Sequence, residues 1–368
     1  MKIACVVGTR PNFVKISSFL RELSNHKNIQ SILIHTGQHY DKSMSESFFS
    51  DLEINNPDVY FGVGSKTNLN QFGTIIISAE HYFLTNKPDL IVVVGDVNST
   101  LAVALVGAKL NIPVAHIEAG LRSRNWNMPE ELNRVLTDRI SELLLTPTGE
   151  DSLNLLNEGI SKDKIHFVGN IMIDTLMFNL SKISDKNGLL TKYGISEREY
   201  VLLTLHRSEC VDNRENLEEV LSAIAEISEK IRIIFPLHPR TKKNIQKYDL
   251  MNILSGASNL SAIKPLGYLD FLTLMKNAKF IMTDSGGIQE ESTVLGLPCL
   301  TLREETERPI TVKIGTNQVV GIKKTTIIPK ALDLLEGRRI SGEIPKFWDG
   351  KTANRIVEVI SHRGNLNL

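Results

Sequence analysis

The chain has 368 residues, 42% of them hydrophobic, and its 42 basic residues balance its 42 acidic residues. This length allows two domains with separate cores, and the balanced charge argues against a nucleic-acid surface or an acidic tail. Three scattered cysteines exclude a disulfide framework or a CxxC metal site, and no apolar segment is long enough for a signal peptide or a membrane span, so we expect a cytoplasmic protein with small-molecule partners.

Short β-branched segments alternate with helical patterns from the first residue onward. In chain order we predict a strand over residues 2–7, a helix over 11–23, a strand over 30–35, strands ending near residues 94, 117 and 145, and a strand over 164–168. Such a repeated strand and helix order is typical of a parallel, doubly wound sheet.

The same order starts again after Gly169 and predicts a second domain. Its strands are predicted over residues 200–205, 232–236, 260–264, 279–282 and 299–301. We therefore predict a first domain over 1–169 and a second over 170–351. The C-terminal helix, within 352–368, is expected to pack back on the first domain.

The most informative segment of the chain reads TDSGGIQEE and follows an apolar strand. Its small residues Ser285, Gly286 and Gly287 allow a phosphate to approach the backbone, and the start of the following helix favours an anion. Glu290 and Glu291, a turn later, could accept hydrogen bonds from ribose hydroxyls. Glycine-rich turns without a ligand are common in α/β proteins, but helix capping alone does not explain two adjacent glycines. The segment therefore predicts a nucleotide diphosphate site.

Carboxylates follow two apolar strands of the first domain. Asp96 comes after the run LIVVVG, and Glu118 comes after VAHI. Both would lie at the carboxyl edge of a parallel sheet, where open α/β folds bind ligands, although Asp96 could instead cap a helix. Glu130, next to Pro129 at a helix start, is a third candidate, but acids are also ordinary in a first helical turn.

Basic residues also lie at predicted strand ends. Arg10 follows the first strand, and Lys15 lies one helical turn later, so both could point into one cleft. In the second domain His206 and His238 each follow a strand. A lone histidine is more often structural, but two near the Gly-Gly turn would form a positive rim for a diphosphate.

Together these residues resemble one family, the non-hydrolysing UDP-N-acetylglucosamine 2-epimerases, over nearly the whole chain. The motifs that carry the resemblance are GTRP from Gly8, HTGQH from His35, GD at Gly95, HIEAGLRS from His116, MPEELNR from Met128, TLHR from Thr204, TDSGGIQEE from Thr283 and TERP from Thr306. The resemblance implies an α/β protein of two doubly wound, Rossmann-like domains in a GT-B arrangement, with the active site in the interdomain cleft.

The resemblance also implies a role for each matching residue. The diphosphate would be held by Arg10, His206, Ser285, Gly286 and Gly287. Glu291 would hold the ribose, and Phe271 would lie beside the uracil. The acid/base carboxylates would be Asp96, Glu118 and Glu130, helped by Lys15, His206 and Arg134. Additional candidates are Gln38, His39, His238 and Arg308.

The implied reaction is reversible inversion at C2 of UDP-N-acetylglucosamine to give UDP-N-acetylmannosamine. The C2 hydrogen has no adjacent carbonyl carbon to acidify it, so elimination of UDP to a 2-acetamidoglucal, followed by re-addition, is the plausible route. That route needs cations for the diphosphate and carboxylates in different environments, but no metal or nicotinamide cofactor. The resemblance further implies a homodimer and a role in supplying cell-surface polysaccharide.

Departures from the family pattern leave the exact sugar open. Many relatives have glutamate at the position of Asn12 and a Glu-Asn pair where this chain has Glu209 and Cys210. Neither change removes a residue assigned to chemistry. The alternatives are a C2 epimerase of a 2,3-diacetamido-uronate or 6-deoxy sugar, a hydrolysing epimerase, a GT-B glycosyltransferase and a non-catalytic nucleotide-sugar sensor.

A further departure concerns a second substrate site. Bacterial relatives read Gln-His-Arg-Gln where this chain has Gln-His followed by Tyr40 and Asp41, and a carboxylate there would repel a diphosphate. Unless Lys42 or Lys66 supplies the missing charge, we predict that the second site is weak and that kinetics are hyperbolic.

Overall fold

A computed structural model describes residues 1–38, 49, 52–64, 67–183, 187–338 and 340–364 of the chain. The chain divides into two compact units, Met1–Phe178 with Lys346–Leu368, and Asn179–Pro345. The predicted boundaries, after residues 169 and 351, differ from these because flanking residues pack on the first unit. The Thr175 hydroxyl donates to the Val14 carbonyl at 2.7 Å, and the Trp348 indole donates to the Pro147 carbonyl at 3.2 Å.

In the described part of the chain, the first unit contains a parallel sheet of seven strands. They are β1 (Lys2–Val7), β2 (Gln30–His35), β3 (Val59–Tyr60), β4 (Leu90–Val94), β5 (Val114–Ile117), β6 (Leu143–Thr146) and β7 (Ile165–Phe167). Their spatial order is β3-β2-β1-β4-β5-β6-β7. The order reverses between β1 and β4, which is where open sheets of this type bind ligands.

The helices of this unit cover the sheet. They are α1 (Arg10–Ser24), α2 (Asn68–Thr85), α3 (Asn98–Lys109), α4 (Pro129–Ile140), α5 (Gly149–Asn157) and α6 (Ile171–Leu180), with a short 3₁₀ turn at Lys162–Lys164. All five residues of β4 are buried, which is the apolar pattern expected of a parallel strand covered on both faces. Part of the core lies between the sheet and the buried faces of α2 and α3.

The second unit repeats this architecture with a parallel sheet of six described strands, in the order β10-β9-β8-β11-β12-β13. The strands are β8 (Tyr200–Thr204), β9 (Arg232–Pro236), β10 (Leu260–Ile263), β11 (Phe280–Thr283), β12 (Cys299–Thr301) and β13 (Asn317–Val319). The helices are α7 (Asn187–Tyr193), α8 (Ser208–Val211), α9 (Arg214–Ser228), α10 (Pro239–Lys247), α11 (Met251–Gly256), α12 (Tyr268–Asn277), α13 (Gly286–Val294), α14 (Pro309–Lys313) and α15 (Lys324–Leu335). Its core packs the sheet against α9 and α15.

The last helix, α16 (Thr352–Gly364), belongs to the first unit. Asp174 on α6 accepts hydrogen bonds from the backbone N–H groups of Thr352 and Ala353, at 3.0 and 2.7 Å. These are first-turn N–H groups that the helix itself cannot satisfy, so Asp174 caps α16 from another helix.

The predicted fold class, two doubly wound α/β domains with parallel sheets, is confirmed. Strands β3 and β13 were not predicted, because two or three residues carry too little periodicity to be recognised. Among the described helices, none combines the length and the apolar composition of a membrane span.

Candidate active site

Two candidate carboxylates of the first unit follow neighbouring strands. The register pairs Val94 of β4 with Ile117 of β5, which brings Asp96 and Glu118 to the same edge of the sheet. Asp96 is partly exposed, whereas Glu118 is buried. Glu118 has a φ of 71°, an unfavourable value for a residue with a side chain, and such strain is concentrated at functional sites.

Glu118 is held by Lys15. The Nζ atom of Lys15 lies 2.5 Å from Oε2 of Glu118, and both side chains are buried. The other carboxylate oxygen, Oε1, has no hydrogen-bond partner among the described residues. A buried acceptor without a partner is costly, so a substrate hydroxyl that donates a hydrogen bond would stabilise it.

Gly95 is required beside this ion pair. Its φ is 70°, and a Cβ atom there would lie 3.3 Å from Nδ2 of Asn12 and 3.4 Å from Nζ of Lys15. Asn12 accepts a hydrogen bond from the Thr9 N–H at 3.1 Å and donates to the Val94 carbonyl at 3.0 Å. The departure from the family pattern at Asn12 therefore places a neutral amide next to Lys15.

Asp96 is held by Arg134 on α4. The Nε and Nη2 atoms of Arg134 donate to Oδ2 of Asp96 at 3.1 and 2.9 Å, and Nη1 contacts Glu131 at 2.5 Å. Burial alone would raise the pKa of Glu131, but backbone N–H donors from Ser123 and Arg124, together with Arg134, lower it below its usual value.

Glu131, which we did not assign a role from the sequence, is thus the glutamate that pairs with Arg134, while Glu130 beside it is half-buried. The three-residue spacing from Glu131 to Arg134 on a helix is the sequence signal that could have identified the pair.

The remaining candidates of the first unit differ in their surroundings. Arg10 is exposed at the start of α1. Gln38 is buried, and its Oε1 accepts hydrogen bonds from the N–H and hydroxyl of Ser99 at 3.1 and 2.7 Å. His39 lies outside the described residues.

In the second unit, the register of β8 and β11 brings His206 to the Gly-Gly turn. Thr204 pairs with Thr283, and two residues beyond them lie His206 and Ser285. Asp284 is fully buried, and its Oδ2 accepts hydrogen bonds from the backbone N–H groups of His206 and Arg207 at 2.7 and 2.8 Å. Its Oδ1 lies 2.9 Å from Nδ1 of His206.

These contacts orient the His206 ring. Burial alone would raise the pKa of Asp284, but the His206 imidazole and the two backbone N–H groups outweigh it, so the pKa lies below its usual value. Because Nδ1 faces this carboxylate, a ligand would meet His206 through Nε2. The His238 ring centroid lies 5.6 Å from that of His206, and Nδ1 of His238 accepts a hydrogen bond from the Arg240 N–H at 3.2 Å.

Gly286, the first residue of α13, packs directly on an ion-pair cluster. A Cβ atom there would lie 2.8 Å from Nη1 of Arg308 and 3.0 Å from Oε1 of Glu307. Arg308 is buried between two carboxylates, with Nη1 2.7 Å from Glu307 and Nε 2.9 Å from Glu290. Gly286 therefore has no room for a side chain, and Ser285 and Gly287 flank it at the same turn.

The predicted ribose and uracil residues lie on α13 and α12. Tyr268 on α12 donates its hydroxyl proton to Oε1 of Glu291 on α13 at 2.6 Å. Burial raises the pKa of Glu291 to about 7, with the Tyr268 hydrogen bond opposing the rise and Glu290 adding to it. Phe271 is half-buried one turn after Tyr268. Tyr268 was missed at the sequence level.

Within the described residues, no group of three histidine, cysteine, aspartate or glutamate side chains is arranged to hold a metal ion. The arrangement offers carboxylates fixed by cations in the first unit, and a helix start with a histidine and a buried arginine in the second.

The chain is similar to known proteins over nearly its whole length. A family model described as UDP-N-acetylglucosamine 2-epimerase matches residues 21–361. The chain is 46% identical over 367 residues to the UDP-N-acetylglucosamine 2-epimerase of Methanocaldococcus jannaschii, covering 98% of this chain and 99% of that protein. It is 37% identical to the UDP-2,3-diacetamido-2,3-dideoxy-D-glucuronate 2-epimerase of Pseudomonas aeruginosa, with coverage of 98% and 99%.

Solved structures give the same result. The crystal structure of the M. jannaschii UDP-GlcNAc 2-epimerase in complex with UDP-GlcNAc and UDP matches with a TM-score of 0.92 and 44% identity, covering 98% of this chain and all of that one. The Neisseria meningitidis UDP-GlcNAc 2-epimerase bound to UDP-GlcNAc matches with a TM-score of 0.90 and 34% identity, with the same coverage. These similarities confirm the predicted GT-B-like fold class.

Proposed function

Because this chain belongs to the UDP-N-acetylglucosamine 2-epimerase family and is a non-hydrolysing epimerase, we propose that it eliminates UDP from UDP-N-acetylglucosamine and adds it back. The intermediate is a 2-acetamidoglucal, and the product is UDP-N-acetylmannosamine. The observation that carries this proposal is the pair of carboxylates on neighbouring strand ends, Asp96 and Glu118, each fixed by a different cation.

The environments of the two carboxylates suit two different proton-transfer roles. Asp96 is partly exposed and bound by a guanidinium, whereas Glu118 is buried, bound by an ammonium, and keeps one oxygen without a protein partner among the described residues. Acid/base pairs work when their environments differ. We assign proton transfer at C2 to Asp96, and transfer of the other proton, or stabilisation of positive charge at C1, to Glu118 and Glu130.

The second unit supplies the groups that a leaving diphosphate requires. Backbone N–H groups at the start of α13, with Ser285, Gly286 and Gly287, would bind the diphosphate together with Nε2 of His206. Glu291 would accept hydrogen bonds from the ribose, and Phe271 would contact the uracil. Charge that develops on UDP during C1–O cleavage would be stabilised there.

A single reaction tests the proposal. The protein is incubated in heavy water with UDP-N-acetylglucosamine alone, and the sugar nucleotide is followed by proton NMR. We expect UDP-N-acetylmannosamine to accumulate, with deuterium at C2 of both epimers, because the carboxylate that removes the proton exchanges it with solvent. Epimerisation without C2 labelling over many turnovers would contradict elimination, and release of free N-acetylmannosamine would indicate a hydrolysing enzyme.

The 37% identity to a UDP-2,3-diacetamido-uronate 2-epimerase supports one second candidate, inversion at the same carbon of that sugar. The same experiment with the uronate substrate distinguishes the two. A higher kcat/KM for the uronate than for UDP-N-acetylglucosamine would replace the first candidate with the second.

We also propose that the enzyme is a homodimer. Helix α2 exposes Leu69, Ile77 and Leu84, which lie about two turns apart on one face and would suit a second copy of the chain. Light scattering should give twice the 41.1 kDa chain mass, and the double variant Ile77→Glu with Leu84→Glu should give the chain mass alone. A monomeric wild type would reject this proposal. A cytoplasmic location and a supply role for cell-surface polysaccharide stay predictions from the resemblance.

A further inference from the structure

His116 makes two contacts that a neutral ring cannot satisfy together. It lies on β5 with a fully buried side chain. Its Nε2 is 2.8 Å from the carbonyl oxygen of Gly95, and its Nδ1 is 2.7 Å from Oδ1 of Asp138. A carbonyl and a carboxylate both accept hydrogen bonds, while a neutral imidazole carries one N–H. Both bonds form at once only when the ring is an imidazolium.

Asp138 is ionised in this arrangement. Its Oδ2 accepts hydrogen bonds from the Gly120 N–H at 3.1 Å and from Nη1 of Arg122 at 2.7 Å. Burial alone would raise the pKa of Asp138, but His116 and Arg122 outweigh it, and the pKa lies below its usual value. Arg122 is in turn paired with Glu158. The buried imidazolium thus has a charged partner, as a buried cation requires.

The pair joins the two turns that carry the candidate carboxylates. Gly95, whose carbonyl His116 binds, directly precedes Asp96. Gly120, whose N–H Asp138 binds, follows Glu118 by two residues. Both glycines have positive φ values, 70° and 84°. Glycine permits this backbone conformation but does not enforce it, so the local sequence alone does not fix either turn.

We infer that His116 is a positioning residue, which as an imidazolium paired with Asp138 fixes the turn carrying Asp96 relative to the turn after Glu118. This inference rests on the proposed acid/base roles of those two carboxylates. Helix α4 then holds Asp96 in two ways. Arg134 binds its carboxylate, and Asp138, one turn later on α4, holds its backbone through His116.

Two substitutions separate the two contacts of His116. The amide nitrogen of asparagine occupies the position of Nδ1, so His116→Asn keeps a donor to Asp138 and loses the donor to Gly95. The amide nitrogen of glutamine reaches the position of Nε2, so His116→Gln keeps the donor to Gly95 and loses the one to Asp138. Val114→Ala, at the other end of β5, is a control for destabilisation of the same strand.

The inference predicts a loss of kcat in both histidine variants and no loss in the Val114→Ala control. His116→Asn should lower kcat by about 10-fold to 10²-fold, since a small misplacement of a reacting group has effects of this order. KM and the Kd for UDP should change less than about twofold, because binding groups are untouched. His116→Gln should lower kcat to a similar extent, because it breaks the contact with Asp138 through which α4 holds the turn, and Val114→Ala should lower Tm without lowering kcat. A kcat within about threefold of wild type in both histidine variants, or a loss confined to KM, would overturn the inference.

A second measurement does not depend on activity. In ¹⁵N-histidine-labelled protein near neutral pH, the resonances that His116→Gln removes should show protons on both ring nitrogens. A ring with one proton would overturn the inference even if His116→Asn does not fold. The epimerase assay on wild-type protein tests the proposed function before any variant is made. Failure of the proposed function is therefore distinguished from failure of this inference.

Discussion

At the scale of single residues, Asp96 is the group on which the proposed chemistry depends most directly. Asp96→Asn keeps the shape of the side chain and removes the base. We expect kcat to fall by at least about 10²-fold, with UDP affinity by calorimetry unchanged. Asp89→Asn, at the opposite end of β4, is the matched control and should keep full activity, since Asp89 accepts a hydrogen bond only at the far edge of the sheet. Normal kcat in Asp96→Asn would reduce Asp96 to a structural role.

Adjacent glutamates on α4 should have separable roles. Glu131→Gln replaces a buried acceptor of backbone N–H groups and Arg134, and should destabilise the fold by about 2 kcal/mol. Glu130→Gln should leave stability within about 0.5 kcal/mol, but lower kcat at least about 10-fold if Glu130 acts in proton transfer. Urea unfolding and initial rates on both variants test this. Full activity of Glu130→Gln would leave the acid/base work to Asp96 and Glu118.

The raised pKa of Glu291 makes the free energy of unfolding of the nucleotide-free protein depend on pH. Its pKa in the folded state is raised to about 7 by burial, above the ordinary value near 4.5. The folded state therefore keeps a proton that the unfolded state loses, so this contribution to stability is present below about pH 4.5 and is lost as pH rises through about 7. Glu291→Gln cannot titrate, so the free energy of unfolding of wild type should fall relative to this variant between about pH 5 and pH 8. Parallel curves would contradict the raised pKa.

At the scale of elements, the start of α13 is the part of the second unit most sensitive to substitution. Gly286→Val places a branched side chain against Arg308 and Glu307 and blocks the approach of a phosphate, so UDP binding should be lost and Tm lowered. Ser285→Ala should weaken binding only mildly, by about 1 kcal/mol for one lost hydrogen bond. Calorimetric titration of both variants tests the order. Normal affinity in Gly286→Val would place the diphosphate elsewhere.

At the scale of the whole molecule, kinetics test the prediction that a second substrate site is weak. Tyr40, Asp41, Lys42 and Lys66 lie outside the described residues, so this stays a prediction from sequence. We expect hyperbolic initial rates in both directions, and turnover of UDP-N-acetylmannosamine without added UDP-N-acetylglucosamine. Sigmoidal rates, or a reverse reaction that starts only after UDP-N-acetylglucosamine is added, would contradict it. The variant Asp41→Gln, which removes the repelling charge, should strengthen any activation by UDP-N-acetylglucosamine.

The sequence by itself determined the features that depend only on residues close together in the chain. Buried parallel strands appear as continuous apolar runs such as LIVVV, and a Gly-Gly helix start is recognisable because its backbone chemistry is local. These signals predicted both sheets, placed Asp96 and Glu118 at strand ends, and located the turn at Ser285. The shortest strands were missed because their periodicity is too brief.

Only the tertiary structure decided which side chains meet. Glu118 contacts Lys15, 103 residues away, and Tyr268 contacts Glu291, 23 residues away. His116 meets Gly95 because the register pairs β4 with β5, and it meets Asp138 because α4 packs beside them. Strand order, register and helix packing set these distances, and they arise from burial of apolar surface across the whole sheet, which no local pattern encodes.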